Sequence, residues 1–348
     1  MGELVYRKAE LSDSQALCAL MRETPMGQGI QICQERGDDF FASCYLQADE
    51  PEVWAAFEKG SGRAVGVFSA GKRSVFVDGE VKKIRYLSDL RIRQEYRKGM
   101  LLARGFKTLK QQVFDEGEWA QTLVLEDNRE GSKYLTSGRA GLPVYHPCGI
   151  YRSWFLQSQK VNGTTEAIKV RSAGIEDRVA MQSLLEREAG SASFTPWVDI
   201  AAMGGVDFRL AEQGGELIGM LGIWDTSSIN RTRITGYGRG VRLARPFYNV
   251  WAELGGRPRL PAIGECISSK ALTTLLCKNR DPKIFKALLA GVLETRGLYG
   301  LGLDIEDPLT AALDGLSSKQ VTAGHFLVGF FGDPPKVKRP FYFDFARL

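Results

Sequence analysis

The chain has 348 residues, of which 44% are hydrophobic and 25% charged, enough apolar material for two domain cores. Its formal net charge of +5 is compatible with an anionic cofactor, but it is too small and too dispersed to point to nucleic acid. Six cysteines (Cys18, Cys33, Cys44, Cys148, Cys266 and Cys277) lack CxxC spacing, and His146 and His325 are the only histidines, which disfavours a zinc site or a histidine-activated nucleophile.

The cysteines read as reduced, mostly buried thiols. His146, in a proline-flanked loop, and His325, in an expected strand, read as structural. Residues Met1–Tyr6 lack the basic and apolar stretches of a leader, and no apolar run reaches the length of a bilayer span. A cytoplasmic protein with no membrane span is expected.

In chain order, Val5–Ala9 reads as a strand, Ser12-Asp13 as a helix-starting turn and Ala16–Met21 as an amphipathic helix. Arg63–Phe68 is a short strand carrying Gly66. Tyr86–Ile92 reads as a strand, Lys98–Val113 as a long helix stopped by Gly117, and Thr122–Leu125 as a strand running into Glu126-Asp127. Gly141–Tyr145 reads as a late strand. The polar segment Gln157–Glu166 fits a linker.

The pattern then restarts. Lys169–Ala173, Glu176-Asp177 and Val179–Leu185 repeat the opening strand, turn and helix about 164 residues later. Glu216–Leu221 repeats the glycine-bearing strand. Leu272–Cys277, Pro282–Thr295, Gly297 and Gly300–Ile305 followed by Glu306-Asp307 repeat the order strand, helix, glycine, strand and acidic pair. A whole-domain repeat of this kind predicts two tandem α/β (α+β) domains, each a twisted mixed sheet flanked by helices. The expected boundaries are 1–156, a linker at 157–166, and 167–348 with an insertion at about 230–265.

That insertion mixes Arg231, Arg233, Arg239, Arg242, Arg245, Arg257 and Arg259 with Tyr237, Phe247, Tyr248 and Trp251. It reads as a solvated lid whose aromatics pack on the sheet. Nucleic acid, an anionic membrane surface or an acidic carrier protein are its alternative partners. The tail Arg339–Phe345 reads as a final buried strand.

The segment Leu87–Leu102 carries the chemistry. A strand ends in a basic turn with one glycine, Arg97-Lys98-Gly99, and a helix follows at once. Unsatisfied amides at a helix start, with added cationic charge, make a site for a pyrophosphate. Tyr96-Arg97-Lys98-Gly99-Met100-Leu101 resembles the acyl-CoA-binding motif of the GNAT N-acetyltransferase superfamily, Gln/Arg-x-x-Gly-x-Gly/Ala. It departs from the motif at Tyr96 and Leu101. The order of the flanking strands, Gly66 and Asn128 included, extends the resemblance over residues 4–156.

The resemblance implies an N-acyltransferase that uses acetyl-CoA, or another acyl-CoA, as cosubstrate and needs no metal. The acceptor would be a small-molecule or peptide amine, and the protein a monomer with a pseudo-dimeric domain pair. Leu90, Arg91, Ile92, Arg97, Lys98, Gly99, Met100, Leu101 and Asn128 would hold the acyl-CoA. Asp89 and Glu126 are the candidate bases. Tyr134 is the candidate acid, one residue before the family's usual tyrosine position, which Leu135 fills. The alternative is a non-catalytic protein of the same fold that binds an acyl-CoA or a small ligand as a sensor. At the matching turn, Cys277–Pro282 has no glycine, and Asp281 would repel a pyrophosphate, so the second half reads as degenerate for CoA.

Overall fold

The computed structural model describes residues 3–27, 29–97, 100–138, 141–162, 166–254 and 259–348. The first half contains β1 (Leu4–Lys8), α1 (Ser14–Glu23), β2 (Ile30–Glu35), α2 (Phe40–Gln47), β3 (Val53–Glu58), β4 (Ala64–Ser69), β5 (Lys72–Val77), β6 (Glu80–Tyr86), β7 (Ser88–Ile92), α3 (Leu101–Thr108), β8 (Trp119–Leu125), α4 (Arg129–Leu135) and β9 (Val144–Gln157). The second contains β10 (Lys169–Ser172), α5 (Arg178–Glu188), β11 (Val206–Gln213), β12 (Glu216–Trp224), β13 (Arg231–Tyr237), α6 (Arg239–Leu254), β14 (Cys266–Ile267), β15 (Lys270–Cys277), α7 (Pro282–Leu293), β16 (Leu298–Asp304) and β17 (Ser318–Gly329).

The repeat seen in the sequence is built from matching local contacts. Asp13 accepts two hydrogen bonds from Arg7 (2.6 and 2.8 Å) and one from the amide of Glu10 (2.8 Å). Asp177 does the same with Arg171 (2.6 and 2.7 Å) and the amide of Gly174 (2.7 Å). In each half a carboxylate ties the first strand to the start of the first helix and satisfies an amide ahead of it. The arginine and its backbone partner hold the Asp177 carboxyl down at about 2.

The halves share one sheet. Ten strands run in the order β10-β11-β12-β15-β16-β9-β17-β8-β6-β5, while β1-β3-β4-β7 form a second sheet. β9, the last strand of the first half, pairs with β16 of the second. β17 pairs with β8 of the first. The two exchanged strands then pair antiparallel with each other from Ser318↔Leu156 to Gly329↔Val144. The halves are also joined by a smaller sheet, β14-β13-β2, in which β13 of the insertion lies against β2.

Two large cores lie on these sheets. In the first half α1 and α2 bury Leu17, Leu20, Met21 and Phe40 against Val53, Phe57 and Val67. In the second, α7 buries Phe285, Leu288, Leu289 and Val292 against Leu221, Leu275 and Leu301. Asp281 caps α7 by accepting from the amide of Lys283 (2.8 Å), and Pro282 opens the helix.

Several sequence expectations are corrected. His146 lies within β9 rather than in a loop, since Pro147 sits at a register shift of the ladder. The helix expected from Lys98 is described from Leu101, and its last turn, Leu109–Val113, widens to a π-helix. The late strand starts at Val144 rather than Gly141, where a positive φ of 87° marks a turn. In the tail Phe341, Tyr342 and Phe343 are buried, but the segment makes a single parallel bridge, Ser193↔Phe341, instead of a strand. The insertion is a strand and a 16-residue helix, and Phe247 and Trp251 of that helix face solvent rather than the sheet. Arg257, and part of the linker at 163–165, lie outside the described residues.

Candidate functional site

β6 and β7 form one bent strand that leaves the large sheet at Leu87. Arg85 and Tyr86 pair in parallel with Ala120 and Gln121 of β8, and the Leu87 amide donates to the Gln121 carbonyl (2.9 Å). Beyond that point β7 pairs only with β4, so β7 and β8 diverge. The β4–β7 ladder slips between Val67↔Arg91 and Ser69↔Ser88, and Asp89 sits in the bulge with φ +54°. A positive φ is strained for any residue but glycine, and here it is held by side-chain contacts. Arg36 forms a buried ion pair with Asp89, and Ser69 Oγ donates to the same carboxylate (3.2 Å).

Past the bulge, the Arg93 amide donates to the Val65 carbonyl (3.0 Å). Alternation along an antiparallel ladder directs the Ile92 amide and carbonyl to the opposite edge, the edge that faces the divergence. The Ile92 carbonyl accepts from Arg97 Nε there (3.1 Å).

α3 crosses this region and leaves a shallow cleft, open to solvent, against β1, β3, β4 and β7. Its lining includes Trp54, Val67, Phe68, Leu90, Leu102 and Gly105. Close approach of helix and sheet depends on Gly66, where a Cβ would stand 3.1 Å from Leu101. Tyr6 Oη also lines the cleft; it is buried and has no hydrogen-bond partner among the described residues. An apolar trough with an orphaned polar atom is suited to an elongated ligand with polar groups along its length.

The sequence-predicted residues divide by position. Leu90, Arg91, Ile92 and Leu101 line the cleft. Leu90 and Met100 are exposed, and Leu101 is buried with Tyr96. Arg91 donates to the Leu90 carbonyl (2.9 Å) and to Met26 Sδ (2.7 Å), and burial pulls its pKa down. Tyr96 turns its hydroxyl to Glu58 (2.7 Å). Lys98 and Gly99 lie outside the described residues. Glu126, Asn128 and Tyr134 stand at and beyond the end of β8, outside the cleft lining. Glu126 is exposed and forms no ion pair among the described residues, and Tyr134 is half-buried. Asn128 precedes α4 and its carbonyl accepts from the Ser132 amide (2.8 Å).

Sequence reasoning missed Arg36, Tyr6, Trp54, Phe68 and Gly105. A lone glycine inside a helical pattern was a signal for Gly105. Arg36, in the turn after β2, carries no local signal because its partners are 53 and 194 residues away.

The sequence matches no protein-family model and no curated protein. Solved structures do resemble this chain. A GCN5-related N-acetyltransferase from Anabaena variabilis aligns over 93% of this chain and 72% of its own, with 10% identity and a TM-score of 0.52. Two structures of Saccharomyces cerevisiae N-myristoyltransferase with bound myristoyl-CoA align over 94–95% of this chain and 80–83% of theirs, at 12% identity and TM-scores of 0.56 and 0.59. The chain has the GNAT fold. It has it twice, because β15 and β16 of the second half also pair only at their start, Lys270↔Tyr299 and Ala271↔Gly300, and then diverge.

In that second GNAT unit the helix packs tightly on the sheet. A Cβ on Gly219, the counterpart of Gly66, would stand 2.5 Å from Ile284 of α7, and Ile284, Phe285 and Leu288 belong to the core. Arg280 pairs with Asp307 in a buried ion pair at the start of α7. Among the described residues, no three His, Cys, Asp or Glu side chains cluster in a way that could hold a metal ion.

Proposed function

We propose that this protein is an acyl-CoA-dependent N-acyltransferase whose acyl donor lies in the first half, in the cleft between α3 and the edge of the sheet at β4 and β7. The observation that carries the reading is the asymmetry between the halves: an open apolar cleft between α3 and the β1-β3-β4-β7 sheet in the first, and α7 packed into the core on its sheet in the second. The cleft residues fit the donor. Trp54, Phe68 and Leu102 would cover the pantetheine or acyl carbons, the free edge of β7 at Leu90–Ile92 would hydrogen-bond the thioester end, and Tyr6 Oη would meet a polar group. Arg97, Lys98, Gly99, Met100 and Leu101 would meet the pyrophosphate at the start of α3, with Asn128 beside the CoA arm. The domain limits 1–156 and 167–348 assign donor binding to the first unit and scaffolding to the second.

In the reaction a neutral amine attacks the thioester carbonyl, the C–S bond breaks, and an amide and the CoA thiol result. Asp89 is already engaged by Arg36 and Ser69, so we assign it to holding the bulge. Glu126, exposed and without an ion pair among the described residues, is the better candidate to remove the amine proton, and Tyr134 remains the candidate to protonate the thiolate. Acetyl-CoA is the first donor to try, and a series of longer acyl-CoAs sets the chain length.

The sensor reading is kept for one observation. Tyr96, at the motif position where the family carries Gln or Arg, is tied to Glu58 and buried. Calorimetric titration with acetyl-CoA and longer acyl-CoAs, followed by thiol release over a panel of amines, decides. Turnover supports the enzyme and saturable binding without turnover the sensor; no binding of any acyl-CoA overturns both.

A further inference from the structure

α6 presents an apolar row to solvent. Leu243, Phe247, Val250, Trp251 and Leu254 recur three and four residues apart, which puts them on one helix face, and they are 74%, 80%, 61%, 50% and 85% exposed. The opposite side is fastened down. Ala252 is fully buried, Asn249 exchanges two hydrogen bonds with the backbone of Leu260 (2.8 and 3.1 Å), and Arg245 donates to the same carbonyl (3.3 Å) while lying over the Tyr237 ring. The helix is therefore seated with its apolar face outward. A row of this size without a cover marks an interaction surface.

The charges beside the row select the partner. Arg239 borders it and Arg242 lies about a quarter turn farther round the same flank; both are exposed and form no ion pair among the described residues. Glu253, the lone acid of the helix, is already paired with Arg259. A convex apolar ridge edged by free cations, with a tryptophan on it, matches a bilayer interface, where acyl chains lie beneath anionic phosphates. A second copy docking face to face would instead bring the same arginines together with no free acid on the helix to receive them. The helix has 16 residues, and no described helix is long and apolar enough to cross a membrane, so the contact is a peripheral one.

We propose that α6 is a membrane-surface anchor that lays its Leu243–Leu254 face into the headgroup region of an anionic lipid bilayer. The start of the anchor lies near the cleft. The Gly238 amide at its start donates to the Gly29 carbonyl (2.8 Å), and Met26, just before, contacts Arg91 of the cleft. This inference does not rest on acyl transfer, and its test needs no acyl-CoA.

The test is co-sedimentation of the full chain with vesicles of phosphatidylcholine, with and without phosphatidylglycerol. The expected result is binding to the phosphatidylglycerol vesicles that weakens with salt, and weak or no binding to the neutral ones. Replacing both arginines, Arg239→Ala with Arg242→Ala, is expected to weaken binding about thirtyfold. The pair Leu243→Glu and Phe247→Glu is expected to abolish it; both sites are exposed, and an unchanged melting temperature verifies the fold. No binding to anionic vesicles overturns the proposal, as does binding that survives L243E/F247E. Self-association, or capture of a protein partner, that is lost in L243E/F247E while vesicles remain unbound would assign the face to a protein and also overturn it.

Discussion

Asp89 and Thr274 occupy the same place in the two halves: each is the positive-φ residue, at +54° and +49°, of the bulge where a strand leaves its parallel neighbour. The bulges are held differently. The Asp89 carboxylate is fixed by Arg36 and Ser69, whereas the Thr274 amide donates to Asp344 (3.1 Å), which also accepts from Thr273 Oγ1 (2.6 Å). A bent strand thus recurs with a different lock. In the first half the neighbouring helix α3 leaves a cleft, whereas in the second α7 is packed into the core.

The first lock reaches across the halves, because Arg36 also donates to Asn230 Oδ1 (2.7 Å). Both members of the Arg36–Asp89 pair are almost fully buried. Arg36→Met strands a carboxylate in the interior and is expected to cost about 3–5 kcal/mol in denaturant unfolding. Adding Asp89→Asn should recover part of that loss, and the double-mutant cycle measures the coupling. Simple additivity of the two changes would show that the pair does not hold the bulge.

The cleft can be closed without unfolding the protein. Gly105 lies on α3 facing it, and a Cβ there would meet only Phe68, at 3.9 Å. Gly105→Phe would place a ring in the trough and remove the entropic cost of a glycine within a helix. Acyl-CoA affinity, by calorimetry, is expected to fall at least about tenfold while the melting temperature holds or rises. Unchanged affinity would place the donor elsewhere.

How much of this was legible in the sequence follows from range. The Arg7–Asp13 and Arg171–Asp177 clasps span six residues, so the tandem repeat showed itself. The exchange of β9 and β17 did not, because periodicity describes a strand and not its partner. The mix of arginines and aromatics in the insertion suggested aromatics packed on the sheet, but composition alone could not tell that Phe247 and Trp251 would face solvent. At the site, the basic turn at Arg97 and the strand at Leu90–Ile92 were readable as a motif. The pairing of Asp89 was not, since Arg36 is 53 residues away and a bulge leaves no mark in side-chain alternation.

The two carboxylates that the sequence offers as bases, Glu126 and Asp89, should separate on mutation. Glu126→Gln is expected to lower kcat/KM about a hundredfold at unchanged acyl-CoA affinity, the usual scale for a missing general base. Asp89→Asn should show first as lost stability, since its buried arginine is left unpaired. If Glu126→Gln keeps full turnover, Glu126 is not the base.

His325 gives the fold a pH dependence. It is 3% exposed, contacts Gln121 Nε2 at 2.9 Å, and packs against the rings of Phe194 and Phe341. Burial, and after it the nearby Arg73 and Arg339 cations, depress its pKa to about 3 from an ordinary 6.5. The unfolded chain therefore binds the proton first. Stability from this group is complete above about pH 6.5 and declines by up to about 1.4 kcal/mol per pH unit as the pH falls toward 3. Replacing it, His325→Gln, should flatten that part of the unfolding free energy between pH 6.5 and 4, where the comparison with the unaltered protein cancels most carboxylate titration. Parallel curves for the two proteins over that range would show that His325 is not held neutral in the folded state.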